Sequence, residues 1–84
     1  MIHYQTVEET LYHEDLGRYT TFGICVYRIE QERIELLAQV SDVFLNAQEA
    51  EQFADLCNRL ALDPIHLEDV IADTLGLPSP DYSY

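Results

Sequence analysis

The chain has 84 residues, with sixteen Asp and Glu against four Arg, no Lys and a formal net charge of −12. Such a surface repels phosphate backbones and anionic lipid. The sequence contains no run of about eighteen apolar residues, so it predicts no membrane-spanning segment. The length suits one modest core, so we expect a single domain over residues 1–77 and a flexible tail over residues 78–84. The first residues lack the pattern of a secretory signal, which favours a cytoplasmic protein.

Three stretches in the first half have the patterning of β-strands. Residues 4–12 alternate roughly between apolar and polar types, which predicts an edge strand with one wet face. Residues 19–29 contain consecutive apolar positions, which is typical of a central strand covered on both faces. Residues 34–40 again alternate, so that one face of this predicted third strand is mostly apolar. Short polar turns separate the three stretches, so we predict an antiparallel meander.

At Asn46 the apolar period changes to that of a helix. Asn46 is the predicted N-cap, Glu49 completes a capping box, and Leu45 should pack on Ala50 as a hydrophobic staple. The buried stripe predicted for this helix comprises Ala50, Phe53, Ala54, Cys57, Leu60 and Ala61, widened by Leu56.

A second helix follows, with Asp63 as its cap, Pro64 in its first turn and Gly76 just past its end. Its predicted inner stripe is Leu67, Val70, Ile71, Thr74 and Leu75, and its outward positions include Ala72. The predicted fold class is therefore α+β, a three-stranded antiparallel β-meander followed by two α-helices packed on one sheet face.

Residues 56–76, LCNRLALDPIHLEDVIADTLG, have the outline of a DNA-reading helix-turn-helix. Ala61 occupies the turn position where Gly is common. The exposed chemistry opposes DNA binding, because Glu68, Asp69 and Asp73 stand where a recognition helix needs Arg, Lys, Asn or Gln. We expect a packing motif, and a helix-turn-helix-like regulator is the alternative that the charge disfavours.

Other reactive groupings are weak. His66, Asp69 and Asp73 share one helix face, but no second element supplies a closing ligand, so we predict no metal and no cofactor. Cys25 and Cys57 lie in apolar patterns without basic neighbours, which predicts buried free thiols. The isolated glycines form no phosphate-cradling loop. We therefore expect a protein that is not an enzyme.

The six tyrosines are a surplus of side chains that favour binding surfaces. Four of them lie on predicted strands, and the acidic face of the second helix is a further exposed region. The candidate interaction surface predicted from the sequence comprises Tyr4, Tyr12, Tyr19, Tyr27, His66, Glu68, Asp69 and Asp73.

Three stretches, FGICVYRI, VSDV and LCNRLALDPIHLEDVIADTL, together resemble a family of small clostridial (Firmicutes) proteins grouped as a domain of unknown function of the 6514 type. The resemblance covers residues 19–75, and its most specific part runs from Leu56 to Val70. It implies a bacterial cytosolic protein and brings no activity, cofactor or catalytic residue.

We therefore predict a non-enzymatic protein–protein interaction module that contacts another protein through the open sheet face or the helical pair. No direct DNA or RNA binding and no membrane contact are expected. The alternative is an acidic nucleic-acid mimic that inhibits a basic nucleic-acid-binding protein. The mimic requires the carboxylates from Glu49 to Asp73 to form one continuous stripe.

Overall fold

The computed structural model describes residues 1–76 and contains a three-stranded antiparallel sheet with two helices after it. The strands are β1 (Ile2–His13), β2 (Gly17–Glu30) and β3 (Arg33–Phe44), and the helices are α1 (Ala47–Arg59) and α2 (Leu67–Leu75). The strand order β1-β2-β3 places β2 in the centre. The predicted α+β meander with two helices on one sheet face is confirmed.

Every strand is longer than its pattern predicts, and β3 shows why. Its alternation stops at Val40, but its pairing with β2 continues to Phe44. Ile24 pairs with Val40 and Phe22 pairs with Phe44, so β3 has extra residues in a bulge opposite Gly23. A bulge destroys the period of two without ending the ladder.

The helices bury one face of the sheet. The rings of Phe44 and Phe53 contact each other with centroids 5.6 Å apart, and they join the end of β3 to α1. The buried core residues are Tyr4, Ile24, Val26, Phe44, Ala50, Phe53, Ala54, Cys57, Leu67 and Ile71. In the described part of the chain no helix packs on the other face of the sheet, which we call the open face.

Helix α1 begins as predicted and ends early. Asn46 Oδ1 accepts a hydrogen bond from Glu49 N at 3.0 Å, which confirms the cap. The predicted staple is wrong, because the Leu45 residue is 74% exposed. The helix ends at Arg59, so Leu60 is exposed and does not extend the buried stripe.

The turn after α1 depends on Ala61. Its φ is 50°, the left-handed conformation that glycine adopts most easily. Ala61 N donates to Asn58 O at 3.2 Å and Leu62 N donates to Cys57 O at 3.0 Å, which is the Schellman pattern of a helix end. The position that the helix-turn-helix outline assigns to glycine therefore has glycine-like geometry, although alanine occupies it.

Helix α2 differs from its predicted stripe. Asp63 caps a 3₁₀ turn over Pro64–His66, and α2 proper begins after it and ends at Gly76 with φ 74°. A 3₁₀ turn has fewer residues per turn than an α-helix, so it shifts the face that the next residues present. Ala72 is buried and Thr74 is exposed, the reverse of the prediction.

Two further expectations concern membrane-spanning helices and the C-terminal tail. No helix within residues 1–76 is both long enough and apolar enough to cross a membrane. The tail predicted over residues 78–84 lies outside the described residues, and so does Leu77.

Candidate interaction surface

The open face follows the central strand. Because Ile24 and Val26 point into the core, the residues that alternate with them point to the opposite face of the sheet. Along β2 the open-face residues are Tyr19, Thr21, Gly23, Cys25, Tyr27 and Ile29. Two half-buried tyrosines thus stand about 26 Å apart along the strand, with three small, buried residues between them.

A fixed polar network occupies one end of this face. Tyr19 Oη donates to Asp42 Oδ2 at 2.9 Å, and this hydrogen bond raises the pKa of Tyr19. Thr21 is fully buried, and its Oγ1 lies 2.8 Å from Asp42 Oδ1 and 2.9 Å from Phe44 O. Asp42 itself has φ 58° in the bulge of β3. The bulge therefore aims one carboxylate at two hydroxyls of the central strand.

Glu9 completes the network from β1. Its two carboxylate oxygens lie 2.7 and 2.9 Å from Ser41 Oγ, and Oε2 also accepts from Asp42 N at 3.1 Å. Gly23 lies beneath this carboxylate, since a Cβ there would be 3.0 Å from Glu9 Oε2 and 2.5 Å from Val40 O. The absent side chain of Gly23 is what lets Glu9 reach across β2 to the bulge.

The other end of the open face is apolar. The register pairs Tyr27 with Leu36 and Ile29 with Ile34, which brings four apolar side chains side by side. Ile34 and Leu36 remain 71% and 51% exposed. Cys25 is buried beside Tyr27, and the thiol raises the pKa of the tyrosine.

The structure divides the interaction surface predicted from the sequence. Tyr19 and Tyr27 lie on the open face, whereas Tyr12 is exposed near the β1–β2 hairpin. His66, Glu68, Asp69 and Asp73 are exposed on the helical layer, on the other side of the sheet.

The expectation for Tyr4 is wrong, since it is 1% exposed and lies in the core. Its burial follows from its place opposite Val26, which points into the core. Tyr4 Oη donates to Leu62 O at 2.6 Å, which satisfies the buried hydroxyl. Tyr4 thus anchors the α1–α2 turn to the sheet instead of offering a contact surface.

Asn58 reinforces the same contact. Its Oδ1 accepts from Tyr4 N at 2.8 Å and its Nδ2 donates to Tyr4 O at 2.9 Å, so one side chain replaces a missing strand at this point of the β1 edge. An open groove of about 860 Å³ runs beside this contact. The polar side chains in the groove bond within the chain: Asn58 to Tyr4, Asp63 to Ile65 N and Arg28 to Glu35. These bonds fix the polar lining of the groove, as the bonds of Glu9 and Asp42 fix one end of the open face.

Burial raises the pKa of Tyr4 to about 12, with smaller contributions from Cys57 and Asp63. The folded-state pKa lies above the unfolded value, so this stabilisation is full below the unfolded pKa and is lost as pH rises through the folded pKa. We expect the free energy of unfolding to fall between about pH 10 and pH 12. Urea unfolding of the wild type and of Tyr4→Phe, repeated at several pH values, measures this fall. If the free energy of unfolding of Tyr4→Phe falls as steeply with pH as that of the wild type, Tyr4 is not its cause.

The metal-ligating residue types are scattered over the described part of the chain. Within residues 1–76 no group of three or more His, Cys, Asp or Glu could hold a metal ion. Cys25 and Cys57 are both buried free thiols, as predicted. Cys57 belongs to the core and Cys25 lies on the open face, so the sheet separates them.

Four residues that organise these contacts were given no structural role from the sequence pattern: Glu9, Ser41, Asp42 and Asn58. The polar pair Ser41 and Asp42 interrupts the alternation of β3, and this break is the one signal that could have indicated the bulge. Asn58 gives no such signal, because its partner lies 54 residues away.

Residues 1–77 match the model of a family described as a family of unknown function, DUF6514. No curated protein and no solved structure matches the chain. The family match includes the described residues of the open face and of the helical layer, and it extends the resemblance that residues 19–75 had indicated. The chain belongs to the family of unknown function DUF6514.

Proposed function

We propose that this protein is a non-enzymatic protein–protein interaction module of the bacterial cytosol, and that it binds a basic protein through the open face of its sheet. The observation that carries the proposal is the position of Tyr19 and Tyr27 on a sheet face that no helix covers within residues 1–76. Tyrosine supplies large contact area with few torsions to immobilise, which favours binding surfaces.

The local geometry supports a preorganised contact. Tyr19 is held by Asp42, and Asp42 is held by the bulge, so little side-chain freedom remains to be lost on binding. Between the two tyrosines the side chains of Thr21 and Cys25 are short and Gly23 has none. We call this stretch the trough; its floor is already buried, because Thr21 is 0% and Cys25 3% exposed and the Glu9 carboxylate lies over Gly23, so a partner would contact the tyrosines at its two ends.

Charge supports the choice of partner. The chain carries a formal net charge of −12, of which Glu9 and Asp42 place two carboxylates on the open face between Tyr19 and Gly23. A field of one sign accelerates association with a partner of opposite charge and makes that association sensitive to salt. A basic protein surface that also carries apolar side chains fits this charge and the exposed Ile34 and Leu36 at the apolar end of the open face.

The non-enzymatic part of the proposal is supported by the roles of the carboxylates. Glu9 and Asp42 accept hydrogen bonds from Ser41, Asp42 N, Thr21 and Tyr19 within the fold. These bonds shape the bulge and the trough.

Site-specific photo-crosslinking in the native cell tests the surface. A photoreactive residue in place of Tyr27 should give one dominant adduct with a basic protein, and the yield should fall as salt is raised in the purified complex. The matched control places the same residue at Tyr12, which is exposed on β1 away from the trough. The proposal fails if position 27 gives no adduct, or if both positions give the same set.

The same experiment separates the nucleic-acid mimic. A mimic would crosslink from helix positions such as Glu51 and Asp55, which are exposed on α1, and duplex DNA would compete for its partner. An adduct that forms from the helices and is displaced by DNA would replace the open-face proposal with the mimic.

A further inference from the structure

The two edges of the sheet differ in their protection. At the β1 edge, Asn58 pairs with the backbone of Tyr4. At the β3 edge, the segment from Arg33 to Leu36 has no neighbouring strand on its outer side within residues 1–76. An unprotected edge with exposed apolar side chains is a template for another strand.

The hydrogen bonds of β2 show which groups of β3 point outward. Ile29 N donates to Met1 O at 2.8 Å and Ile29 O accepts from the Met1 amino group at 3.0 Å. Ile29 therefore bonds toward the β1 side. Its register partner Ile34 is in a non-hydrogen-bonded pair, so the N–H and C=O of Ile34 point away from β2.

We propose that β3 pairs with β3 of a second copy of this chain, antiparallel about a two-fold axis at Ile34. In this register Ile34 N–H donates to the C=O of Ile34 in the second copy, and the reverse bond forms by symmetry. The two sheets then become one continuous sheet. The pairing goes beyond the proposed function and does not depend on it, because it requires this protein alone.

Charge selects this register. The two-fold places Arg33 opposite Glu35 of the second copy, and each Glu35 opposite the other Arg33. Within one chain, Arg28 and Glu35 already form an ion pair at 3.1 Å, and Glu30 is opposite Arg33. Each row across four strands thus alternates in sign, which is favourable for cross-strand neighbours. An axis at Leu36, the other residue whose backbone points outward, would instead place Glu35 opposite Leu37.

The open face gains an apolar row at the same contact. Ile29 and Ile34 of one copy continue into Ile34 and Ile29 of the other, and this covers a side chain that is 71% exposed in the single chain. The register shift between Val26 and Tyr27 ends the regular part of β3 at Leu36. The contact is therefore short, and we expect a reversible dimer whose population rises with concentration.

Charge reversal gives a specific test by sedimentation velocity over a range of concentrations. Arg33→Glu and Glu35→Arg should each be monomeric where the wild type dimerises, because each places like charges opposite each other across the axis. An equimolar mixture of the two variants should dimerise. When one copy of each variant pairs, every Glu at position 33 or 35 lies opposite an Arg of the other copy. A monomeric wild type, or a mixture that stays monomeric while both variants fold, overturns the proposal.

A second pair of variants tests the apolar row. Ile34→Thr keeps a β-branched residue and should weaken dimerisation about tenfold or more, since both copies lose the contact. Leu16→Thr is the control, because Leu16 is 69% exposed in the β1–β2 hairpin, at the opposite end of β2 from Ile29. Circular dichroism and urea unfolding should show that both variants fold. Equal dimerisation of the two variants contradicts the assigned axis.

Discussion

Replacing Asn58 by Leu should lower the free energy of unfolding by about 3 kcal/mol, because two backbone groups lose their partner together. The Asn58 amide accepts from Tyr4 N and donates to Tyr4 O. Leucine has the same branching and the same number of side-chain heavy atoms but can do neither, so the N–H and the C=O of Tyr4 would be left unpaired beside α1. Each unsatisfied group costs about 1–3 kcal/mol when it is shielded from water.

Urea unfolding followed by circular dichroism measures this loss. The matched control is Arg59→Leu at the neighbouring, exposed position, which should change stability by less than about 0.5 kcal/mol. A further variant, Asn58→Asp, keeps the acceptor and loses the donor. At neutral pH its loss of stability should therefore lie between those of Arg59→Leu and Asn58→Leu. If Asn58→Leu is no less stable than Arg59→Leu, the amide does not close the β1 edge.

Gly23→Ala should also lower the free energy of unfolding by about 3 kcal/mol. The change adds only one methyl group, and alanine is ordinarily tolerated in a strand. The added Cβ would lie 2.5 Å from the backbone oxygen of Val40 and 3.0 Å from the Glu9 carboxylate. A backbone atom in a paired strand cannot move aside alone. We therefore expect β2 and β3 to separate locally and the Glu9 bond to Ser41 to break.

Gly17→Ala is the informative control. Gly17 has φ 73°, and a Cβ added at this position would have no heavy atom within 4 Å outside its chain neighbours, so alanine there suffers conformational strain without a clash. That cost should be about 1 kcal/mol. If urea unfolding shows the same loss of stability for Gly17→Ala and Gly23→Ala, the close approach of Val40 O is not the reason why position 23 requires glycine.

The start of α1 and the end of α2 were predictable because their signals are local. Asn46 and Gly76 act on groups within a few residues of themselves and have the predicted roles, whereas Asp63 caps the 3₁₀ turn before α2 and not α2 itself. The hydrophobic staple failed although it is equally local. Phe44 and Ala50 are both buried in the core, and the path from Phe44 into α1 leaves the side chain of Leu45 in solvent.

The candidate surface was less predictable because it depends on long-range register. The sequence assigned the tyrosines to strands, but only the pairing of β1 with β2 decides that Tyr4 faces the helices while Tyr19 and Tyr27 do not. The bulge at Asp42 shifts the partners of every residue beyond Val40. A period of two cannot reveal such a shift, since the extra residues break the pattern that carries the information.

The contact between Tyr4 and Asn58 also constrains the order of events during synthesis. All three strands leave the ribosome before residue 58, so the hairpins can form while the β1 edge still lacks its amide cap. Nascent chains on one polysome then expose unpaired edges to each other at high local concentration. The interval between the emergence of β3 and the emergence of Asn58 is therefore the stage at which the β1 edge is open to another strand.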